Sequence, residues 1–65
     1  MNITLNGNPA TMENDLTVSG LVSKMGFKGR AIAVEINGEL VPREQFDRLL
    51  ADGDQVEVVT LVGGG

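Results

Sequence analysis

The chain has no histidine, cysteine, tyrosine or tryptophan, and its only aromatic side chains are two phenylalanines. Without histidine, no side chain is poised to exchange protons near neutral pH and there is no imidazole to bind a metal. Without cysteine there is no disulfide, no thiol nucleophile and no thiolate metal site, and a disulfide-dense secreted scaffold is excluded. A Ser-His-Asp or Cys-His arrangement cannot be assembled, so the chain is not expected to be an enzyme on its own. Long apolar runs are missing too. No segment approaches the ~18 continuous apolar residues of a membrane span. Met1 leads into "NITLNG", which has neither the basic start nor the apolar stretch of a signal peptide, so a cytoplasmic protein with no membrane partner is expected. Positive charge is scarce: five Lys and Arg stand against nine Asp and Glu, a net charge of −4. Nucleic-acid binding draws most of its affinity from phosphate neutralisation, so no nucleic-acid partner is expected. Acidity of this kind keeps a small protein soluble and also suits a partner with a basic groove.

Sixty-five residues make one small domain, which buries only about 60% of the surface its unfolded chain exposes. Met1, Ile3 and Leu5 alternate with Asn2, Thr4 and Asn6 at the period of a half-buried strand. Asn6-Gly7 is a hairpin signal, because both central positions of a type I′ turn need φ > 0. Pro9 marks the returning strand, expected around Ala10–Glu13, as an edge. Val18, Leu21, Val22 and Met25 then fall at i, i+3, i+4 and i+7, the apolar face of one amphipathic helix. Thr17 is placed to cap it, Leu16 to pack on Leu21 as a hydrophobic staple, and Gly26 to close it. Gly20 inside the helix costs about 1 kcal/mol relative to alanine, which points to a close passage of the helix over a sheet.

Ile32, Val34 and Ile36 give a second clean alternation, and Asn37-Gly38 repeats the hairpin signal before Glu39-Leu40-Val41. Pro42 opens a short helical turn in which Phe46, Leu49 and Leu50 are expected to share a face. After an Asp52-Gly53-Asp54 turn, Gln55–Val62 is the last and longest strand. One main helix cannot cover both faces of a sheet, so the fold is α+β with one open face. The order is that of a β-grasp (ubiquitin-like) fold, a mixed sheet curled around one main helix with a short second helix. The last strand is then central, between the first and third. Residues 1–62 form the domain and 63–65 a flexible glycine tail.

Few residues carry chemistry. Asp52-Gly53-Asp54 resembles part of a calcium loop but lacks the later glycine and bidentate glutamate, so it reads as a turn and no metal site is expected. Gly26-Phe27-Lys28-Gly29-Arg30 is a local basic cluster without phosphate-loop spacing, and reads as a solvated loop. Glu35, Glu39, Glu44 and Asp47 show no pairing signature and read as surface. Along the last strand, Val56, Val58, Thr60 and Val62 point one way and Gln55, Glu57, Val59 and Leu61 the other. The second set turns apolar just before the glycines, where an amphipathic strand on an open face should stay polar. Val59 and Leu61 are therefore either a partner-binding patch beside the tail or covered by the Phe46 segment and sheet curvature.

Gly63, Gly64 and Gly65 remain. Glycine loses the most backbone freedom on ordering, so a terminal run of it serves no folding purpose, but it is thin enough to pass through a narrow channel. Its one reactive group is the Gly65 α-carboxylate, with a reference pKa of about 3.3–3.7. That anion accepts no nucleophile until it is activated, for example as an acyl-adenylate.

"NGELVPREQF" and then "DGDQVEVVTLVGGG" resemble the ThiS family, the sulfur carriers of thiamine biosynthesis. The likeness spans the chain in length and element order and is most specific from Asn37 onward. The family ends in Gly-Gly, which maps to Gly64-Gly65, with Gly63 as an extra spacer. The resemblance implies a ubiquitin-like carrier, a monomer when free, that binds no cofactor itself. A ThiF-type adenylyltransferase would use ATP and magnesium to adenylate Gly65, with Gly64 as hinge. A cysteine desulfurase or other sulfur donor would convert the adenylate to a thiocarboxylate, and thiazole synthase would take the sulfur. Related carriers serve molybdopterin or cysteine synthesis with the same terminal chemistry. A protein modifier or plain interaction module of β-grasp type is the alternative from a different class.

Overall fold

The computed structural model describes residues 1–61; Val62, Gly63, Gly64 and Gly65, and with them the expected tail, lie outside the described residues. Five strands, one α-helix and one 3₁₀ turn follow one another as β1 (Asn2–Leu5), β2 (Asn8–Thr11), α1 (Val18–Lys24), β3 (Ile32–Ile36), β4 (Glu39–Val41), the 3₁₀ turn (Arg43–Gln45) and β5 (Gln55–Thr60). They form one mixed sheet in the order β2-β1-β5-β3-β4. β5 pairs parallel with β1 and antiparallel with β3, so the last strand is central, and the expected β-grasp architecture is what forms.

The two Asn-Gly pairs set the hairpins. Asn6 and Gly7 take φ of 50° and 84°, and Asn37 and Gly38 take 53° and 85°, the positive angles that a tight two-residue turn demands. A two-residue turn lets the return strand start at once. β2 therefore begins at Asn8 and ends at Thr11, rather than spanning Ala10–Glu13 as expected, with Leu5 opposite Asn8 and Asn2 opposite Thr11. Pro9 lies inside β2, where its missing N–H does no harm because β2 is an edge.

Helix α1 starts and stops where its sequence signals say. The Thr17 hydroxyl accepts from the Gly20 N–H at 3.0 Å. The two donors before it are taken by carbonyls of the segment after the 3₁₀ turn, Val18 N–H by Arg48 and Ser19 N–H by Phe46. All three N-terminal donors are thus satisfied, and residues 46–50 are latched to the helix start. At the other end Gly26, at φ 82°, donates to Ser23, and Phe27 donates to Val22, the paired bonds of a Schellman closure.

The close approach at Gly20 is not to the sheet. A Cβ there would lie 2.7 Å from Leu16 Cδ1 and 3.3 Å from Thr17 Oγ1, so what crowds it is the staple residue folded back over the first turn. Gly20→Ala is therefore expected to forgo the usual gain of about 1 kcal/mol in helix propensity, because displacing the buried Leu16 costs about as much or more. Urea unfolding of the variant checks this: an unchanged or lower midpoint is expected, and a full 1 kcal/mol gain would show that Leu16 has room to move.

Val18, Leu21 and Val22 of α1 enter one core with Ile3, Ile32, Val34, Ile36, Val41, Leu50, Val56 and Val58. The 42–50 segment departs from expectation. A single 3₁₀ turn follows Pro42, and the chain then extends, with Leu49 bridging to Thr17. Extension sends successive side chains to opposite sides, so Leu50 is buried at 5% exposure while Leu49 is 55% exposed. Phe46, Leu49 and Leu50 do not share a face. No helix of the described residues is long and apolar enough to cross a membrane.

Candidate functional site

The strand that leads to the C-terminus is held harder than its length suggests. Besides its ladders with β1 and β3, β5 is clamped from both sides by the two turn asparagines. Val58 N–H donates to Asn6 Oδ1 at 2.9 Å, and Asn6 Nδ2 donates back to the Val58 carbonyl at 3.3 Å. Across the strand, Gln55 N–H donates to Asn37 Oδ1 at 2.9 Å. Parallel pairing with β1 covers only Thr4–Gln55 and Leu5–Val56, and the Asn6 amide extends it where the β1 backbone has turned away. Asparagine at these positions thus serves the turn and the strand together. The sequence reading credited only the turn, because a bond 52 residues along the chain leaves no local signal.

The turn before β5 is also fixed. Ala51 N–H and Asn37 Nδ2 donate to the two Asp54 carboxylate oxygens at 2.8 and 3.1 Å, and Asn2 N–H donates to Asp52 Oδ1 at 2.6 Å. Both carboxylates hold backbone and side chain in a turn, as read from the sequence. Among the described residues no group of three or more acidic residues is arranged to hold a metal ion.

On β5, Val56 and Val58 face α1 and are buried, while Gln55 and Glu57 are exposed. Thr60, expected on the inner side, is exposed as well. Val59 and Leu61 are 51% and 61% exposed. Covering by the Phe46 segment is ruled out, since Phe46 is bonded to the helix start on the opposite side of the sheet. Beside them on the open face lie half-buried Ala33, in register with Val59, and Leu40, 66% exposed and in register with Glu35. The sequence reading missed Leu40; the register of the second hairpin is what places it there. Glu35 and Glu57 sit directly opposite each other on this face, a like-charge pair that disfavours the free sheet and favours a basic group laid over it. Glu39, Glu44 and Asp47 are exposed, as read.

Leu61 N–H donates to the Ala31 carbonyl at 2.8 Å, so the chain leaves the sheet beside the basic loop. Lys28 and Arg30 are solvated as expected, but they do not stand alone: with Arg43 they surround a cleft of about 110 Å³.

The geometry is therefore a clamped central strand, an apolar patch at its far end on the open face, and a glycine tail beyond it in the sequence. Comparison with known proteins shows what the chain is similar to. The ThiS family model matches residues 3–65. The sulfur carrier protein ThiS of Thermus thermophilus is 41% identical over 64 residues, covering 97% of this chain and 98% of that one. A thiazole synthase of Paramagnetospirillum magneticum is 35% identical over 66 residues; the match takes in the whole of this chain but only 20% of that protein's length. The crystal structure of the thiamine biosynthesis protein ThiS from Geobacter metallireducens superposes with a TM-score of 0.83 at 40% identity, with both chains fully covered. Matched along nearly its whole length in sequence and fold, the chain belongs to the ThiS family.

Proposed function

We propose that this protein is the sulfur carrier of thiazole formation in thiamine biosynthesis, with the Gly65 carboxylate as its covalent site. The observation that carries the reading is the family match running through to Gly65, so that the terminal glycines are part of the family pattern. The carrier is a co-substrate and needs no catalytic side chain. In the proposed cycle a Gly65 carboxylate oxygen attacks the α-phosphorus of ATP on a ThiF-type adenylyltransferase, with magnesium, and pyrophosphate leaves. A persulfide sulfur from a cysteine desulfurase or other donor displaces AMP, and a thiol cleaves the resulting S–S bond to leave the thiocarboxylate. Thiazole synthase then takes the sulfur. Support for that last partner comes from the thiazole synthase relative, which carries a segment similar to this chain within its own length. The proposed setting of these steps is the cytoplasm.

Val59 and Leu61 are the proposed docking patch for the adenylyltransferase, since a protein that takes in the tail must also meet the end of β5. Both side chains are more than half exposed, so Val59→Ser with Leu61→Ser should change stability by no more than about 1 kcal/mol in total. The pair is expected to weaken adenylyltransferase binding by about tenfold. Calorimetric titration with the two proteins checks it, and unchanged affinity would remove these residues from the interface.

The function itself is tested by expressing the chain in a host that lacks its own thiamine sulfur carrier. Restored growth without thiamine is the expected result. Failure there, with rescue of a molybdopterin or cysteine-synthesis carrier instead, would reassign the pathway. A ladder of higher-mass conjugates containing this chain would point to a protein modifier.

A further inference from the structure

We infer that the cleft between the end of α1, the loop after it and the 3₁₀ turn is a docking site for an acidic side chain of the protein that takes sulfur from the tail. That the tail is the working end rests on the carrier reading above. The cleft has a volume of about 110 Å³, an apolar floor that includes Phe27, Ile32 and Phe46, and a rim of Lys28, Arg30 and Arg43. No carboxylate of the described residues lines it. The protein is acidic overall and has only five basic residues, so three of the five converge on this one spot. The one ion pair among the described residues joins Lys24 to Glu13 at 3.3 Å, and the rim cations take no part in it. The Arg43 guanidinium carbon lies 5.5 Å from the centre of the Phe46 ring, a cation–π contact that steadies its head over the apolar floor.

Size and solvation select the occupant. Sites for nucleotide-sized molecules run to about 300–1,000 Å³, whereas this cleft takes one side chain. The rim cations are exposed and hydrated, and such pairs are worth only about 0.2–1 kcal/mol each, too little to hold a free inorganic anion. A partner's acidic side chain next to an apolar one adds contact with Phe27 and Phe46 to the charge complementarity. Position narrows the choice of partner. Arg30 adjoins Ala31, whose carbonyl accepts from Leu61 N–H, so a protein that engulfs the chain beyond Leu61 is brought against this rim. The adenylyltransferase takes in the same tail, so position alone does not choose between it and thiazole synthase. The rim is assigned to thiazole synthase because a relative of that name holds a segment like this chain within its own polypeptide.

The test is to titrate the full ¹⁵N-labelled chain with thiazole synthase, following the Ser23, Gly29 and Phe46 amides. The Arg30→Glu/Arg43→Glu and Arg30→Lys/Arg43→Lys variants are run alongside. All of the altered side chains are exposed, and amide shifts away from the cleft verify each fold. The wild type is expected to shift at the cleft. Charge reversal should weaken binding about tenfold and remove most of its salt dependence, and the lysine pair should largely retain both. Binding by the wild type with the cleft amides unmoved, or equal affinity for the reversed variant, would overturn the cleft while leaving the carrier reading intact. No wild-type binding at all would overturn both. If removing Gly63–Gly65 from the free chain shifts the cleft amides, the occupant is the chain's own carboxylate and the partner assignment is wrong.

Discussion

Replacing the Gly65 carboxylate by a carboxamide is expected to abolish sulfur transfer while leaving the fold untouched. A chain of 65 residues is within reach of chemical synthesis, so the substitution can be made at a single atom. The amide keeps the length, the glycines and every contact of the described residues, but offers no carboxylate oxygen to attack ATP. Deleting Gly65 is the informative companion. The shortened chain still ends in Gly63-Gly64 with a free carboxylate, so its intrinsic reactivity is unchanged. What changes is reach, which falls by about 3.3–3.6 Å. Since misplacement by about 1 Å can cost on the order of 100-fold in rate, adenylation of the shortened chain should fall by at least that factor. Single-turnover adenylation assays, read by pyrophosphate release, measure both. An amidated chain that still carried sulfur would mean that the sulfur travels somewhere other than Gly65.

A requirement for position of this kind would be served by the central, clamped β5. A carrier tail delivers its end to a fixed point in an enzyme only if the point it departs from is itself fixed. Ladders on both sides of β5 and the Asn6 and Asn37 side-chain bonds supply that rigidity within the carrier.

The second large effect concerns stability. Leu21→Ala is expected to cost about 2–5 kcal/mol, the range for truncating a buried leucine. Leu21 is 0% exposed and is the largest of the fully buried side chains, at the centre of the α1 face that meets the sheet. A domain of this size has about 3–10 kcal/mol in all, and no cysteine is present to cross-link it. One substitution therefore removes a large share of the total. The urea midpoint should fall steeply with an unchanged slope, and the melting temperature should drop by about 4–8 °C for each kcal/mol. A loss under 1 kcal/mol would mean that the core closes over the missing atoms, which the seven-residue helix packed on a five-stranded sheet gives little room to do.

How much of this could be read in advance depended on how local its cause was. The cap at Thr17, the closure at Gly26 and both Asn-Gly turns are encoded within a few residues and form as expected. Element order was enough to place β5 between β1 and β3, because a single main helix leaves few ways to cover the sheet. The failures came where distant residues decide. Gly20 looked like a helix–sheet contact because composition shows that space is short but not what takes it up; the answer is Leu16. Leu49 looked like a partner of Leu50 because the spacing fitted a helical turn, and only the bonds from Val18 and Ser19 to the 46–48 carbonyls show the chain pulled straight. Val59 and Leu61 stood open between exposure and cover until the side of the sheet on which Phe46 lies was known. Lys28, Arg30 and Arg43 share a cleft although the last two are 13 positions apart in sequence. For Gly63, Gly64 and Gly65, outside the described residues, the reading rests on sequence and family pattern.

The most direct test of the central claim is the mass of the intact chain after incubation with adenylyltransferase, ATP and a sulfur donor, using enzymes shown to be active on another ThiS protein. Exchanging oxygen for sulfur adds nearly the mass of one oxidation, and three methionines are present to oxidise. The product is therefore trapped with a thiol-alkylating reagent and the adduct located by fragmentation. With no cysteine in the chain, an ATP-dependent adduct on Gly65 identifies a thiocarboxylate, and that is the predicted result. Active enzyme and donor that leave Gly65 unmodified would contradict the carrier function.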